Sequence, residues 1–372
     1  MASGTPRVPL FRPLIREEAI TEVGEVLRSG WLGLGPRTAA FERAFAAYVG
    51  VPYCVGVSSC SGALRLALHL LDLPRGAEVV TTPLTFVGAN QVILHEDLVP
   101  VFADVRQDTG NLDPASVAER ISNRTGAIVV LHYGGYPCDL DELYALARDA
   151  GVPVVEDCAH ACGATYRGRR IGSHGDLHAF SFHAVKNLPT GDGGALTVHH
   201  EDHARRLRRL RWFGIDTDTY ARTSGRAYRW DYAVEELGFK HHMNDIQAAI
   251  GLAQLEYLEI DNARRREIAA SYREGLSDLD GIELLRQESD RESSQHLFCV
   301  LAERRDDLVD RLAERGIDTG VHYRPSYDYP MFEGGPLPQV ERFWRRAVSL
   351  PMHVGLADEH VEAVVAAIRK GW

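Results

Sequence analysis

An α/β architecture, a mainly parallel sheet covered by helices with a smaller α+β unit after it, is predicted by two observations. Short apolar runs at 78–82, 99–102, 127–131 and 152–155 are separated by helical or loop segments, the pattern of strands buried on both faces of a sheet. The chain has 372 residues, enough to bury one large core and a second, smaller one.

Composition narrows the function classes. Hydrophobic residues make up 45% and charged residues 25%, with no apolar run near the ~20 residues of a membrane helix. The amino-terminal stretch from Met1 to Arg7 lacks the apolar core of a secretory signal, which predicts a cytoplasmic protein whose six cysteines remain reduced thiols. A net charge of -11 argues against nonspecific nucleic-acid binding. The one basic cluster, from Arg205 to Arg211, spaces its leucines as a surface helix does.

In chain order, 17–27 reads as an amphipathic helix, and 38–48 as a second with Phe41, Phe45 and Tyr48 at helical spacing. A strand at 54–57 leads through Ser58-Ser59-Cys60-Ser61-Gly62 into a helical run at 63–68. Small hydroxyl residues at a helix start, where free N–H groups and the positive dipole end meet, make a candidate phosphate cradle; the plain alternative is an N-cap. In parallel sheets ligands gather at the carboxyl ends of strands. Phe86 follows the first of the four apolar runs, Asp157 the last, and the segment from Ser181 to Lys186 trails off another strand, so all can converge on one crevice. A charged helix at 255–276 reads as the connector out of a large domain (1–254) into a small one (255–372). The small domain is predicted to hold a strand at 296–301, helices at 306–315 and 358–370, and an aromatic, polar loop at 322–330.

The stretch from Phe180 to Gly194 carries the chemistry. Phe180, Ser181, Phe182 and His183 alternate, so an extended strand turns two polar side chains one way and two phenylalanines the other. Gly191, Gly193 and Gly194 then allow a sharp turn before a strand at 195–198. An isolated Lys186 would be an ordinary exposed lysine. The run Val154-Val155-Glu156-Asp157-Cys158-Ala159-His160 changes that reading, because it puts a carboxylate directly after a short buried strand. A lysine and an acid at two strand ends are what a pyridoxal phosphate site requires: one bonds the cofactor, the other pairs with its ring nitrogen. Cys158, His160 and Cys162 with the two histidine pairs match no strong zinc spacing, so no metal is expected.

With these residues the chain resembles the DegT/DnrJ/EryC1/StrS family of sugar aminotransferases over almost its whole length. The landmarks are Gly30-Trp31-Leu32 with Gly35-Pro36, Phe41-Glu42, the segment 58–68, Pro83-Leu84-Thr85-Phe86, Glu156 to His160, Phe180 to Gly194, Gln247-Ala248-Ala249-Ile250-Gly251 and Leu350-Pro351, in the family's order. The resemblance implies the fold type I architecture with a seven-stranded type of sheet. It makes Lys186 the Schiff-base lysine and acid/base, Asp157 the partner of the pyridinium nitrogen, and Phe86 the aromatic on the ring face. His160 falls beside the ring's phenolic oxygen, and Cys60, Ser61 and Ser181 at the phosphate. Lys240, where many relatives have asparagine, is expected to reach the phosphate across a homodimer interface. Tyr327 and Leu188-Pro189-Thr190 depart from the common pattern and bear on the substrate. The activity implied is transfer of an amino group from glutamate or glutamine to a keto sugar, nucleotide-linked or otherwise, through pyridoxal and pyridoxamine forms of the cofactor, in amino-sugar, polysaccharide or natural-product biosynthesis. The alternatives are a cyclitol aminotransferase, a pyridoxamine-dependent sugar dehydratase, against which Lys186 argues, and a non-catalytic regulatory protein.

Overall fold

The apolar runs of the sequence become strands in the computed structural model, which describes residues 7–216, 220 and 232–372. Residues 1–6, read above for their lack of an apolar core, lie outside these. In chain order the strands are β1 (Tyr53–Val57), β2 (Glu78–Thr81), β3 (Val99–Phe102), β4 (Thr125–Leu131), β5 (Val154–Asp157), a short pair β6 (Thr165–Tyr166) and β7 (Arg169–Arg170), β8 (Leu177–Ser181) and β9 (Gly194–Val198). Seven of them form one sheet in the order β1-β9-β8-β5-β4-β2-β3. Strands β2, β3, β4, β5 and β8 run parallel, while β9 is antiparallel to both β8 and β1. This is the mainly parallel α/β sheet the alternation predicts.

Helices cover both faces of the sheet because its strands are buried on both. After the amphipathic helix α1 (Glu17–Ser29), α2 (Pro36–Val49) brings Phe41 and Phe45 against Phe180 and Phe182 on one side. On the other, α3 (Cys60–Leu70) brings Leu64 and Leu68 into a second core with Ala179 and Leu196. The strand alternation read from 180–183 therefore divides β8 between two cores, each buried aromatic or leucine contributing about 1.5–3 kcal/mol.

The carboxyl edge of the sheet is set by register. Val57 pairs with Gly194, and Gly194 with Ser181; one strand further, Ala179 pairs with Asp157. Gly194 stands where a Cβ would meet the Ser59 carbonyl carbon at 2.5 Å, so glycine is what lets the start of α3 lie over the end of β8.

A second, antiparallel sheet has the order β10-β12-β13, from β10 (Ile282–Leu284), β12 (Phe298–Ala302) and β13 (Ala347–Leu350), while β11 (Arg291–Glu292) pairs with β6. Helices Leu258–Leu276, Arg305–Glu314 and Asp358–Arg369 accompany it. The predicted helix at 255–276 begins at Leu258, after a separate helix Asp245–Leu255 whose start is closed by reciprocal Asn244 and Gln247 caps. The stretch at Val8 packs into the core beside this second sheet: Val8 exchanges backbone hydrogen bonds with Gly316 and Asp318, and the Leu10 carbonyl accepts from Met352. No helix among the described residues is long and apolar enough to cross a membrane.

Candidate active site

Lys186 lies in the loop between β8 and β9. The predicted strand at 180–183 ends at Ser181, because the next backbone groups turn back on the loop itself. Phe182 donates to the Gly193 carbonyl (2.9 Å), Thr190 donates to the Phe182 carbonyl (2.8 Å), and the Lys186 N–H donates to His183 (2.9 Å). Gly191 and Gly193 have φ of 86° and 156°, in the region that favours glycine. The loop thus holds Lys186 at one place beside the end of β8.

Asp157 is the last residue of β5 and almost wholly buried. One carboxylate oxygen accepts the Ala159 N–H at 3.0 Å and faces the Cys60 thiol at 3.7 Å. Burial pushes this carboxyl above its usual range, only partly offset by the Ala159 N–H and the Lys186 charge. Burial likewise pulls the Lys186 ammonium down to about 8, against the pull of Asp157 and Cys60. Among the described residues no arginine or lysine lies within ion-pair distance of Asp157, so the site holds a buried carboxylate with unfilled capacity for a cation.

Its neighbour Glu156 faces the other way and belongs to a closed network. It accepts from His132 Nε2 (3.0 Å) and the Tyr144 hydroxyl (2.5 Å), and His132 Nδ1 takes the Cys138 N–H at 3.1 Å. Burial raises the Glu156 carboxyl, but His178, His132 and Tyr144 outweigh it and hold it at about 2. His132, Glu156 and Cys158 lie close enough to surround a metal ion, yet the His132 lone pair is spent on the Cys138 N–H and the Glu156 oxygens accept from His132 and Tyr144, as in a structural hydrogen-bond network.

The phosphate cradle read from the sequence is the start of α3. Ser59 is the cap, accepting from Gly62 N–H at 3.1 Å. The first-turn N–H groups of Cys60 and Ser61 have no intrahelical partner, as at any helix start. The Cys60 thiol points away from the helix start, toward Asp157 and the Ala179 carbonyl (3.8 Å), leaving its N–H as its contribution there. Ser181 is buried at the end of β8, its hydroxyl within 3.4 Å of the His183 N–H.

Phe86 precedes α4 (Val87–His95) and is 61% exposed, an uncommon exposure for phenylalanine. Its ring meets the edge of Tyr323 at 6.4 Å. His160 accepts the Gly134 N–H on Nδ1 (3.3 Å), so its proton sits on Nε2 and is donated to the Tyr323 hydroxyl at 3.0 Å. Burial and the nearby Lys186 charge keep His160 well below its ordinary value and hence neutral. Tyr323 comes from the predicted loop at 322–330, whose Ser326 also ties to Asn90 (2.9 Å) and the Pro83 carbonyl (2.9 Å). Tyr327 turns away from the crevice, donating to Glu341 at 2.9 Å beside Phe102.

Lys240 is exposed on the segment whose next residue, His241, accepts the Ser58 N–H at 2.7 Å, and it forms no ion pair among the described residues. The sequence reading passed over His296. It stands 3.2 Å from the Lys186 amine and 4.6 Å, ring to ring, from His160. The sequence reads it as the first residue of a strand that in fact begins at Phe298, and no local pattern marks a contact 110 residues apart.

These residues fit a pyridoxal phosphate group: an amine to bond the aldehyde, a buried carboxylate lacking a cation, free N–H groups at a helix start, and an exposed aromatic face. Fold and donor set together describe a site able to hold pyridoxal phosphate at the carboxyl edge of an α/β sheet. The chain belongs to the DegT/DnrJ/EryC1/StrS aminotransferase family, whose profile matches residues 13–369. The spore coat polysaccharide biosynthesis protein SpsC of Bacillus subtilis is 38% identical over 375 residues, covering 97% of this chain and 96% of its own. The sugar aminotransferase CalS13 from Micromonospora echinospora superposes with a TM-score of 0.92 at 37% identity, covering 98% of this chain and 100% of its own. Spr1654 from Streptococcus pneumoniae, solved in pyridoxamine and pyridoxal phosphate forms, gives TM-scores of 0.92 and 0.91 at 31% and 30% identity, over 98% of each chain.

Proposed function

We propose that this protein uses pyridoxal phosphate to move an amino group from glutamate or glutamine to a keto sugar, probed first as nucleotide-linked acceptors. The observation that carries the reading is the meeting of Lys186 and the unpaired, buried Asp157 on one sheet edge beside the start of α3. When bound, the cofactor supplies the carbonyl that accepts the amine and a ring that accepts electrons. In this reading 1–254 is the unit that holds it, apart from the stretch at Val8 and Leu10 that packs with the second sheet, and 255–372 is the small domain beside it. Lys186 anchors the group and moves the proton at the donor's Cα. Asp157 neutralises the ring nitrogen, His160 stands beside the phenolic oxygen, and Phe86 covers the ring face. Cys60, Ser61 and Ser181 hold the phosphate. CalS13, a sugar aminotransferase, supports a sugar acceptor, and SpsC supports a place in polysaccharide biosynthesis.

Protein loaded with pyridoxal phosphate and mixed with glutamate, without acceptor, should release 2-oxoglutarate in amounts matching the sites. A panel of keto-sugar nucleotides, free keto sugars and keto-cyclitols then identifies the acceptor. Absence of a keto acid from either donor sinks the reading, and a deoxygenated sugar formed without donor turnover replaces it with dehydration.

In this reading the protein works as a homodimer in the cytoplasm, and Lys240 reaches the phosphate in the partner subunit's site. Lys240→Ala is expected to weaken cofactor binding about tenfold, the loss of one charge-assisted hydrogen bond. Hybrid dimers of Lys186→Ala and Lys240→Ala chains should regain an intact site. A monomer that turns over at the wild-type rate removes Lys240 from the site.

A further inference from the structure

The Lys186 amine ends against a ring held from several sides. His296 is 2% exposed. Its ring lies parallel to Phe11 at 5.7 Å and against His160 at 4.6 Å. Its flanking backbone is pinned too: Gln295 N–H donates to the Ser293 hydroxyl (3.0 Å), and Leu297 N–H to the Gly134 carbonyl (3.1 Å). One nitrogen, Nε2, is 3.2 Å from Lys186 Nζ, while Nδ1 is buried without a partner.

The surrounding charges settle which atom donates. Besides Lys186, the groups facing His296 are His160, His322 and Arg265, none of them acidic. Those facing Lys186 are Asp157 and Cys60. A second proton on His296 would be buried among cations and imidazoles, so its ring is neutral. A neutral imidazole beside an ammonium accepts on the near nitrogen and carries its hydrogen on the far one.

We propose that His296 is a positioning residue for Lys186, receiving and holding the amine whenever it is not bonded to the cofactor. This rests on the aminotransferase reading. An amine displaced by the incoming donor is left at the end of a flexible four-carbon stem. One N–H donated to a clamped imidazole confines it while leaving the nitrogen lone pair free to take a proton from the donor's Cα. A carboxylate in this place would hold the amine as a charged ammonium, whereas an uncharged acceptor holds it and leaves it basic.

Lys186, Lys240 and Lys370 are the only lysines in the chain, so reductive [13C]methylation of the cofactor-free protein yields a small, assignable set of amine signals. In His296→Phe the Lys186 titration midpoint should fall by about one pH unit, while His296→Gln, which keeps an acceptor, stays near wild type. In loaded protein the donor half-reaction should slow about tenfold in His296→Phe with KM for glutamate unchanged, and recover in His296→Gln. An unmoved midpoint in a folded His296→Phe protein overturns the proposal. Should that variant not fold, [15N]histidine spectra of the wild type decide: a hydrogen on Nδ1 of His296 is expected, and one on Nε2 overturns it. The titration is read without cofactor or acceptor, so it stands or falls separately from the amino-transfer reading.

Discussion

Lys186→Ala should lower amino transfer by about 10³-fold or more, since it removes both the covalent anchor and the group that moves the proton. The loaded variant should also lack the visible absorption that the wild type shows when cofactor is bonded to lysine. The expectation follows from the loop geometry: the hydrogen bonds from Phe182, Lys186 and Thr190 hold this side chain beside Asp157, and alanine leaves no substitute amine within reach. Borohydride reduction of loaded wild-type protein, followed by peptide mass mapping, checks the assignment directly. The label should fall on Lys186, with Lys240 and Lys370 as internal controls in a chain that has no other lysine. A label on either control, or undiminished turnover in the variant, would displace Lys186 from its role.

Much of this site could be read before the fold was known, for a definite reason. Strand ends and helix starts are local features. The apolar run before Asp157 and the serines before 63–68 mark them with neighbouring residues, and parallel topology brings such ends together. What escaped are contacts between residues far apart in sequence. His296 meets Lys186 from 110 positions off, and Tyr323 meets His160 from 163. Val8 and Leu10 sit in a stretch with no strand pattern, yet they are tied beside the second sheet by backbone bonds with Gly316, Asp318 and Met352. The Leu188-Pro189-Thr190 departure bears on packing: Leu188 is fully buried, and Thr190 bridges the Phe182 and Asp192 carbonyls at 3.2 and 2.7 Å. Leu188 and Thr190 brace the lysine loop.

Asp157→Asn should separate stability from catalysis. In the cofactor-free protein this carboxyl is buried with little to compensate its charge, and its pKa is raised. A group raised in the folded state binds more protons folded than unfolded, so its contribution to stability falls as pH rises from the ordinary carboxylate value through the raised one. Below that window the protonated acid and asparagine are both uncharged and the two proteins should melt together. Above it, at neutral pH, cofactor-free Asp157→Asn should melt higher than wild type. Turnover should move the opposite way, by on the order of 10²-fold or more, because asparagine cannot neutralise a protonated ring nitrogen and the electron-accepting power of the cofactor falls with it. The cofactor itself should still bind through Lys186 and the start of α3, and should stabilise the variant less than the wild type. Melting curves between pH 4 and 8, with and without pyridoxal phosphate, read both effects. A melting difference independent of pH would remove the stability effect of the buried charge, and wild-type turnover in the variant would remove Asp157 from the chemistry.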